Sequence, residues 1–199
     1  PTSDKVAVVV ADIDMTGEIW TPINGYTKTL RGNGHVIKGL NAPLFGTTSA
    51  TIIGLHLEDV DIIETATPNV GAFARTMVAT ESVIPFIEHC SASGKINVNC
   101  TEYAATSASD IYASFAVGGL VGAVHGVDIL DCVSSVNVDV VQVVATSNTT
   151  SIHPCIAGAG KLLISTALIA SDNVIVYGIK AVSSVIFKAF DTGLVREEY

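Results

Sequence analysis

Val117-Gly118-Gly119-Leu120-Val121-Gly122, followed by Ile129-Leu130-Asp131-Cys132 and by Val136-Asn137-Val138-Asp139-Val140, is one copy of a unit that recurs along the chain. Val70-Gly71-Ala72-Phe73-Ala74 precedes Ile87-Glu88-His89-Cys90 and Lys95-Ile96-Asn97-Val98 in the same order. Ile156-Ala157-Gly158-Ala159-Gly160 stands before Leu168-Ile169-Ala170 and Val174-Ile175-Val176 in a third copy. Cys90 and Cys132 are 42 positions apart, and Cys132 and Ala170 are 38 apart. A period of roughly 20–50 residues marks a solenoid or an array. Thr51 to Ile63 alternates apolar and polar residues and reads as an earlier copy, with Leu55, Leu57, Val60 and Ile62 turned to a core.

Composition agrees with strands. Of the 199 residues, 49% are hydrophobic but only 6% aromatic, so the core is Val, Ile, Ala and Leu. β-Branched side chains pack well on a pleated surface. The 3.6-residue pattern of helices is absent, apart from a weak trace at Val185 to Phe190. The predicted fold is all-β: a single parallel β-helix (β-solenoid) over residues 1–199, with roughly 20-residue coils. Eight or nine such coils, at about 4.8 Å each, span about 40 Å. The repeat units fall at about 44–69, 70–116, 117–155 and 156–178, and 179–199 forms a terminal cap or tail. Glycines at coil corners avoid a Cβ clash, and Gly32 and Gly34 supply positive φ in a turn. Asn24-Gly25 is a second turn.

The net charge of −9 and the absence of Lys/Arg-rich stretches argue against nucleic acid and anionic lipid as partners. No apolar run spans a bilayer, so no membrane insertion is expected in this segment. The chain opens on Pro1 rather than an initiator Met, which reads as a processed or trimmed chain, with any targeting segment outside it.

The order Ala11-Asp12-Ile13-Asp14-Met15, Trp20-Thr21-Pro22-Ile23, Leu30-Arg31-Gly32-Asn33-Gly34-His35-Val36-Ile37-Lys38-Gly39-Leu40, Leu44-Phe45-Gly46 and then Val117 to Gly122 resembles the GLUG-type repeat proteins. The resemblance covers roughly residues 6–140, and Gly-Asn-Gly-His and Gly-Gly-Leu-Val-Gly are its most specific phrases. It implies a parallel β-helix in a secreted or surface-anchored, mainly bacterial, adhesin-like chain. It implies no shared catalytic residues.

The connections carry the functional reading. The place held by Glu64 to Asn69 in one unit holds Thr101 to Ala116 in the next, about sixteen residues, and Gln142 to Pro154 in the third, about thirteen. Insertions at one place in successive repeats emerge on one side of a solenoid, often its binding side. Tyr103, Tyr112, Phe115 and His153 lie in them and offer ligand contacts. Asn99-Cys100-Thr101 and Asn148-Thr149-Thr150 match the glycan-acceptor pattern at Asn99 and Asn148. The leading expectation is a non-catalytic extracellular or cell-surface module that binds a glycan or a protein through these loops, with no cofactor. The alternative is a structural subunit that assembles end to end, or by strand donation through the apolar Val6 to Val10 strand, into an extracellular filament. A polysaccharide lyase or hydrolase is a distant third.

That third reading rests on Asp12/Asp14 and Asp59/Asp61, i, i+2 pairs expected on one strand face. Calcium needs about six to eight oxygens, and only Glu58 stands near the second pair. His35 is expected to make a structural hydrogen bond, and His89-Cys90 and His153-Pro154-Cys155 lack the paired spacing of a zinc site. If each unit makes two coils, Cys90 and Cys132 stand about 9.5 Å apart, beyond the roughly 7 Å reach of a disulfide. Both are therefore read as small inward hydrophobes, and pairing of Cys100 with Cys155 stays open.

Overall fold

The computed structural model describes residues 6–65, 69–99 and 116–143 and four later strand segments, with side chains described at 6–65, 69–98 and 116–139. The described residues form strands and no helix. In order these are β1 (Ala7–Val8), β2 (Ile13–Asp14), β3 (Thr29–Arg31), β4 (Val36–Lys38), β5 (Phe45–Thr48), β6 (Thr51–Ile53), β7 (His56–Glu64), β8 (Asn69–Val70), β9 (Ala74–Val78) and β10 (Phe86–Glu88). They continue with β11 (Ser91–Asn99), β12 (Ala116–Gly118), β13 (Val121–His125), β14 (Asp128–Leu130), β15 (Val133–Val143), β16 (Cys155–Ala157), β17 (Val176–Tyr177), β18 (Lys180–Ala181) and β19 (Val185–Phe190).

These strands build four parallel sheets, which the chain visits in rotation. The first sheet runs β1-β3-β6-β10-β14-β17, and the second runs β2-β4-β7-β11-β15-β18, with β19 also on β15. The third is β8-β12-β16 and the fourth is β5-β9-β13. From β6 to β14 the path enters sheets one, two, three and four, then repeats. Each strand thus pairs with the strand one circuit later.

The register fixes the length of a circuit and corrects the expected coil. Ala7 pairs with Leu30 and Leu30 with Ile52, offsets of 23 and 22 residues. Ile52 then pairs with Ile87, Ile87 with Ile129 and Ile129 with Val176, offsets of 35, 42 and 47. The roughly 20-residue coil holds only at the N-terminal end. One repeat makes one circuit, not two, so among the described residues the first sheet has six levels, against the eight or nine coils expected. The circuit lengthens because the short β4 gives way to the nine-residue β7 and β11, and because the third sheet is added. The C-terminal region also departs from expectation. β18 and β19 continue the second sheet, and Val185–Phe190 is a strand in register with Val138 to Val143.

The core consists of stacked columns. Ile52, Ile87 and Ile129 stand over one another, as do Ile62, Ile96 and Val138, and all are buried. Each such side chain contributes about 1.5–3 kcal/mol of burial, but only once its neighbours above and below are in place. The passage from first to second sheet takes two residues: Gly54-Leu55, His89-Cys90 and Asp131-Cys132. The first residue of each turns through positive φ, at 60°, 52° and 46°. The second drops its side chain inward, so Leu55, Cys90 and Cys132 form one buried column. Thr51 to Ile63 is therefore two strands and a corner rather than one alternating strand.

His89 pays a conformational penalty that Gly54 does not, because a Cβ is disfavoured at positive φ. His89→Gly is expected to raise stability by roughly 0.5–1 kcal/mol, read as a higher urea midpoint at unchanged slope. Its contacts to Glu88 and Asp131, both at 3.7 Å, are surface pairs worth little.

The Gly-Gly-Leu-Val-Gly phrase owes its glycines to close approach, not to φ. A Cβ on Gly122 would lie 2.5 Å from the Arg75 carbonyl oxygen and 2.7 Å from the Val70 amide nitrogen. One on Gly119 would lie 2.2 Å from Ser134 Oγ. Gly32, expected at positive φ, is likewise crowded, by the Gly54 carbonyl oxygen at 2.3 Å, while Gly34 has φ 78°.

Candidate functional site

The passage from second to third sheet is where the connections differ in length. β7 ends at Glu64, β11 at Asn99 and β15 at Val143, while β8, β12 and β16 begin at Asn69, Ala116 and Cys155. The points of departure stack, since Asn99 pairs with Val141. The points of return stack too, because Ala116 pairs with both Asn69 and Cys155. Residues 100–115 and 144–154 are thus anchored one level apart at a single corner. Tyr103, Tyr112, Phe115, His153 and Asn148 lie outside the described residues. Asn99 is the last residue of β11, described by its backbone alone.

A polar frame underlies this corner, and sequence reasoning missed it. Val60, Ile62 and Glu64 alternate inward along β7, so Glu64 carries a carboxylate into the interior. A buried carboxylate requires a counter-charge. Arg75 on β9 supplies it, with Nη1 2.5 Å from Glu64 Oε2 and side-chain exposures of 21% and 10%. The contact is an ion pair rather than an aligned hydrogen bond, and Nη1 meets no acceptor in line. Beside it, Asn69 Oδ1 accepts the Ala116 amide at 3.0 Å and Asn69 Nδ2 donates to Thr76 Oγ1 at 3.2 Å. Ala116 is the first residue after the 100–115 connection, so Asn69 fixes where that connection ends. The one signal in the sequence was a glutamate at the inward phase of an alternating strand.

The outward face of the second sheet borders the same corner. Asp61, Lys95 and Asn137 form one column, with Lys95 Nζ 3.2 Å from Asp61 Oδ2. Ile63, Asn97 and Asp139 form the next. Ile63 is exposed, and Asp139 Oδ1 is shielded with no hydrogen-bond partner among the described residues. Apart from Ile63, these columns are polar and mixed in charge.

No family model, curated protein or solved structure matches the chain.

The paired aspartates do not converge. Asp12 Oδ1 accepts the Val36 amide at 3.0 Å and lies 3.0 Å from His35 Nδ1, which gives His35 its structural role. The Val36 N–H and then the His35 ring hold Asp12 below the usual carboxyl value. Asp14 accepts the Thr16 amide at 2.9 Å and is lowered by the Thr16 hydroxyl and amide. Asp59 sits at a bulge with φ 49° and pairs with Lys38 at 3.3 Å, whereas Asp61 pairs with Lys95. All four aspartates are exposed, Asp59 and Asp61 on either side of buried Val60, but the members of each pair are held by different partners. His89 and Cys90 face opposite ways, the imidazole outward and the thiol into the core. Among the described residues, no three His, Cys, Asp or Glu side chains gather as a metal site. Among them too, no helix is long and apolar enough to cross a membrane.

Proposed function

We propose that the chain is a parallel β-helix of the GLUG-repeat type that serves as a secreted or cell-surface, adhesin-like module. It binds a glycan or a protein, without catalysis, through residues 100–115 and 144–154. The observation that carries this reading is the stacking of both pairs of anchor points at one corner. Rotation of the chain through four parallel sheets supports the β-helix. The strand residues that flank the two segments are neighbours in the stack, which supports a single binding surface to which both contribute. Tyr103, Tyr112 and Phe115 on one, and His153 on the other, bring ring surface for sugars or apolar side chains. Apart from exposed Ile63, the described outward residues beside this corner are polar, which suits a contact rim.

The test compares the whole chain with a variant in which residues 103–112 are replaced by Gly-Ser. Both are passed over a glycan array and a panel of immobilised matrix proteins. The variant is expected to bind the wild-type partner at least about tenfold more weakly, as loss of an aromatic anchor implies, with an unchanged melting curve. Undiminished binding would move the site elsewhere.

A specific observation favours filament assembly as a second reading. Among the described residues, β1 is the outermost strand of the first sheet, with Val8 46% and Val10 82% exposed, and Ile13 and Ile19 are also exposed. Such an edge is a template for another strand. A sizing column and negative-stain images over a range of concentrations decide this. Short separate rods throughout exclude it, and regular filaments make the ends the functional site.

A further inference from the structure

Cys90 and Cys132 are direct neighbours in the stack. Phe86 to Glu88 pairs with Asp128 to Leu130, and Ser91 with Val133, both at an offset of 42, which places Cys132 on Cys90. The amides around them confirm the level: His89 N–H donates to the Leu130 carbonyl at 3.1 Å and Val133 N–H to the Cys90 carbonyl at 2.9 Å. The separation is therefore one strand spacing, about 4.8 Å, and not the two spacings expected from the repeat length. That lies within the Cα window of a disulfide, about 4.4–6.8 Å.

The side chains are placed alike. Cys90 Sγ donates to the Glu88 carbonyl at 3.2 Å and reaches the Ile52 carbonyl at 3.7 Å. Cys132 Sγ donates to the Leu130 carbonyl at 3.1 Å and reaches the Ile87 carbonyl at 3.6 Å. The two sulfurs thus repeat one conformation on successive levels and follow each other along the stack. Thiols are weak donors, so little is lost when these hydrogen bonds go. Both residues are free and buried, at 1% and 0% exposure.

We infer that Cys90 and Cys132 form a pair that closes into a cross-level disulfide when the chain folds in the presence of a small-molecule disulfide such as oxidised glutathione. One protein thiol loses its proton and attacks a glutathione sulfur, giving a mixed disulfide and one glutathione thiolate. The other, as thiolate, attacks the protein sulfur of that mixed disulfide and expels the second glutathione. Two electrons pass from the protein sulfurs to the glutathione disulfide, and two glutathione thiols are released. Complete burial in the folded state means the exchange occurs during folding, before the turn closes over both sulfurs. The bridge clips two successive circuits at the corner between the first and second sheets. It suits the oxidising surroundings of the proposed extracellular role, but its geometry does not depend on that role.

The full chain is refolded from denaturant in a reduced and oxidised glutathione buffer and quenched with N-ethylmaleimide. Trypsin, with a protease that cuts before aspartate, then places the four cysteines on four peptides: 76–95, 96–109, 131–138 and 139–161. The expected main product is 76–95 joined to 131–138, two hydrogens lighter than the free pair. The bridged protein should melt several degrees above its reduced form. The Cys132→Ser variant should lose that redox-dependent shift and yield alkylated Cys90. Recovery of Cys90 and Cys132 both alkylated overturns the inference. So does pairing of either mainly with Cys100 or Cys155, or a bridged form that melts below the reduced one.

Discussion

Gly94→Ala is expected to destabilise the fold by about 3–5 kcal/mol, from a strained backbone and a steric clash together. In a chain of this length that lowers Tm on the order of 10 °C. Gly94 has φ 119°, which L side chains rarely adopt. A Cβ there would also lie 2.3 Å from the Val60 carbonyl oxygen and 2.4 Å from the Val60 nitrogen. The cause is a bulge in the preceding circuit. Leu57 pairs with Ala92 and Val60 with Gly94, so β7 spends three residues where β11 spends two. The extra residue turns at Asp59 and pushes the β7 backbone against β11. Without the bulge, Glu64 would fall on the outer face rather than the inner one. The check is a urea titration followed by far-UV circular dichroism, with Gly34→Ala as control. Gly34 has positive φ but open space around its missing Cβ, so it should lose only the backbone part, about 1 kcal/mol.

Arg75→Met is expected to cost about 3 kcal/mol or more, because it removes the guanidinium that pairs with the buried Glu64 carboxylate. The same removal combined with Glu64→Leu should recover most of the loss, since apolar residues of similar size replace buried ion pairs well. A double-mutant cycle by urea unfolding measures this, and near-additive losses would show that the two groups act separately. The consequence reaches the candidate site. Glu64, Arg75 and Asn69 hold the corner at which residues 100–115 are anchored. Single loss at Arg75 should therefore weaken ligand binding even though Arg75 touches no ligand, and the double replacement should restore it.

The sequence carried the strand content, the parallel stacking and the corner at which the connections lengthen. These are written locally, in alternation such as Val136 to Val140 and in the repeated glycine phrases. Features that arise between circuits were harder to read. The spacing from Cys90 to Cys132 is the same whether a repeat makes one circuit or two, and only the pairing of Ile87 with Ile129 decides it. Gly94 looks like an ordinary strand interruption until the bulge at Asp59 is set beside it. Glu64 reads as the polar end of a strand because its partner Arg75 lies beyond the next turn. Val185 to Phe190 has apolar spacing compatible with either period over so short a run, and pairing with β15 settles it as a strand. The candidate contacts Tyr103, Tyr112, Phe115 and His153 rest on their place between stacked anchors, a property of their flanks rather than of their own local pattern.

The anchor residues of the two long connections share one corner only because successive circuits lie in register. Isoleucine methyl labelling with nuclear Overhauser spectroscopy tests this most directly. In-register stacking predicts a contact chain from Ile52 to Ile87 to Ile129, and a second contact from Ile62 to Ile96. Absence of the Ile52–Ile87 and Ile87–Ile129 contacts in a folded sample would contradict it.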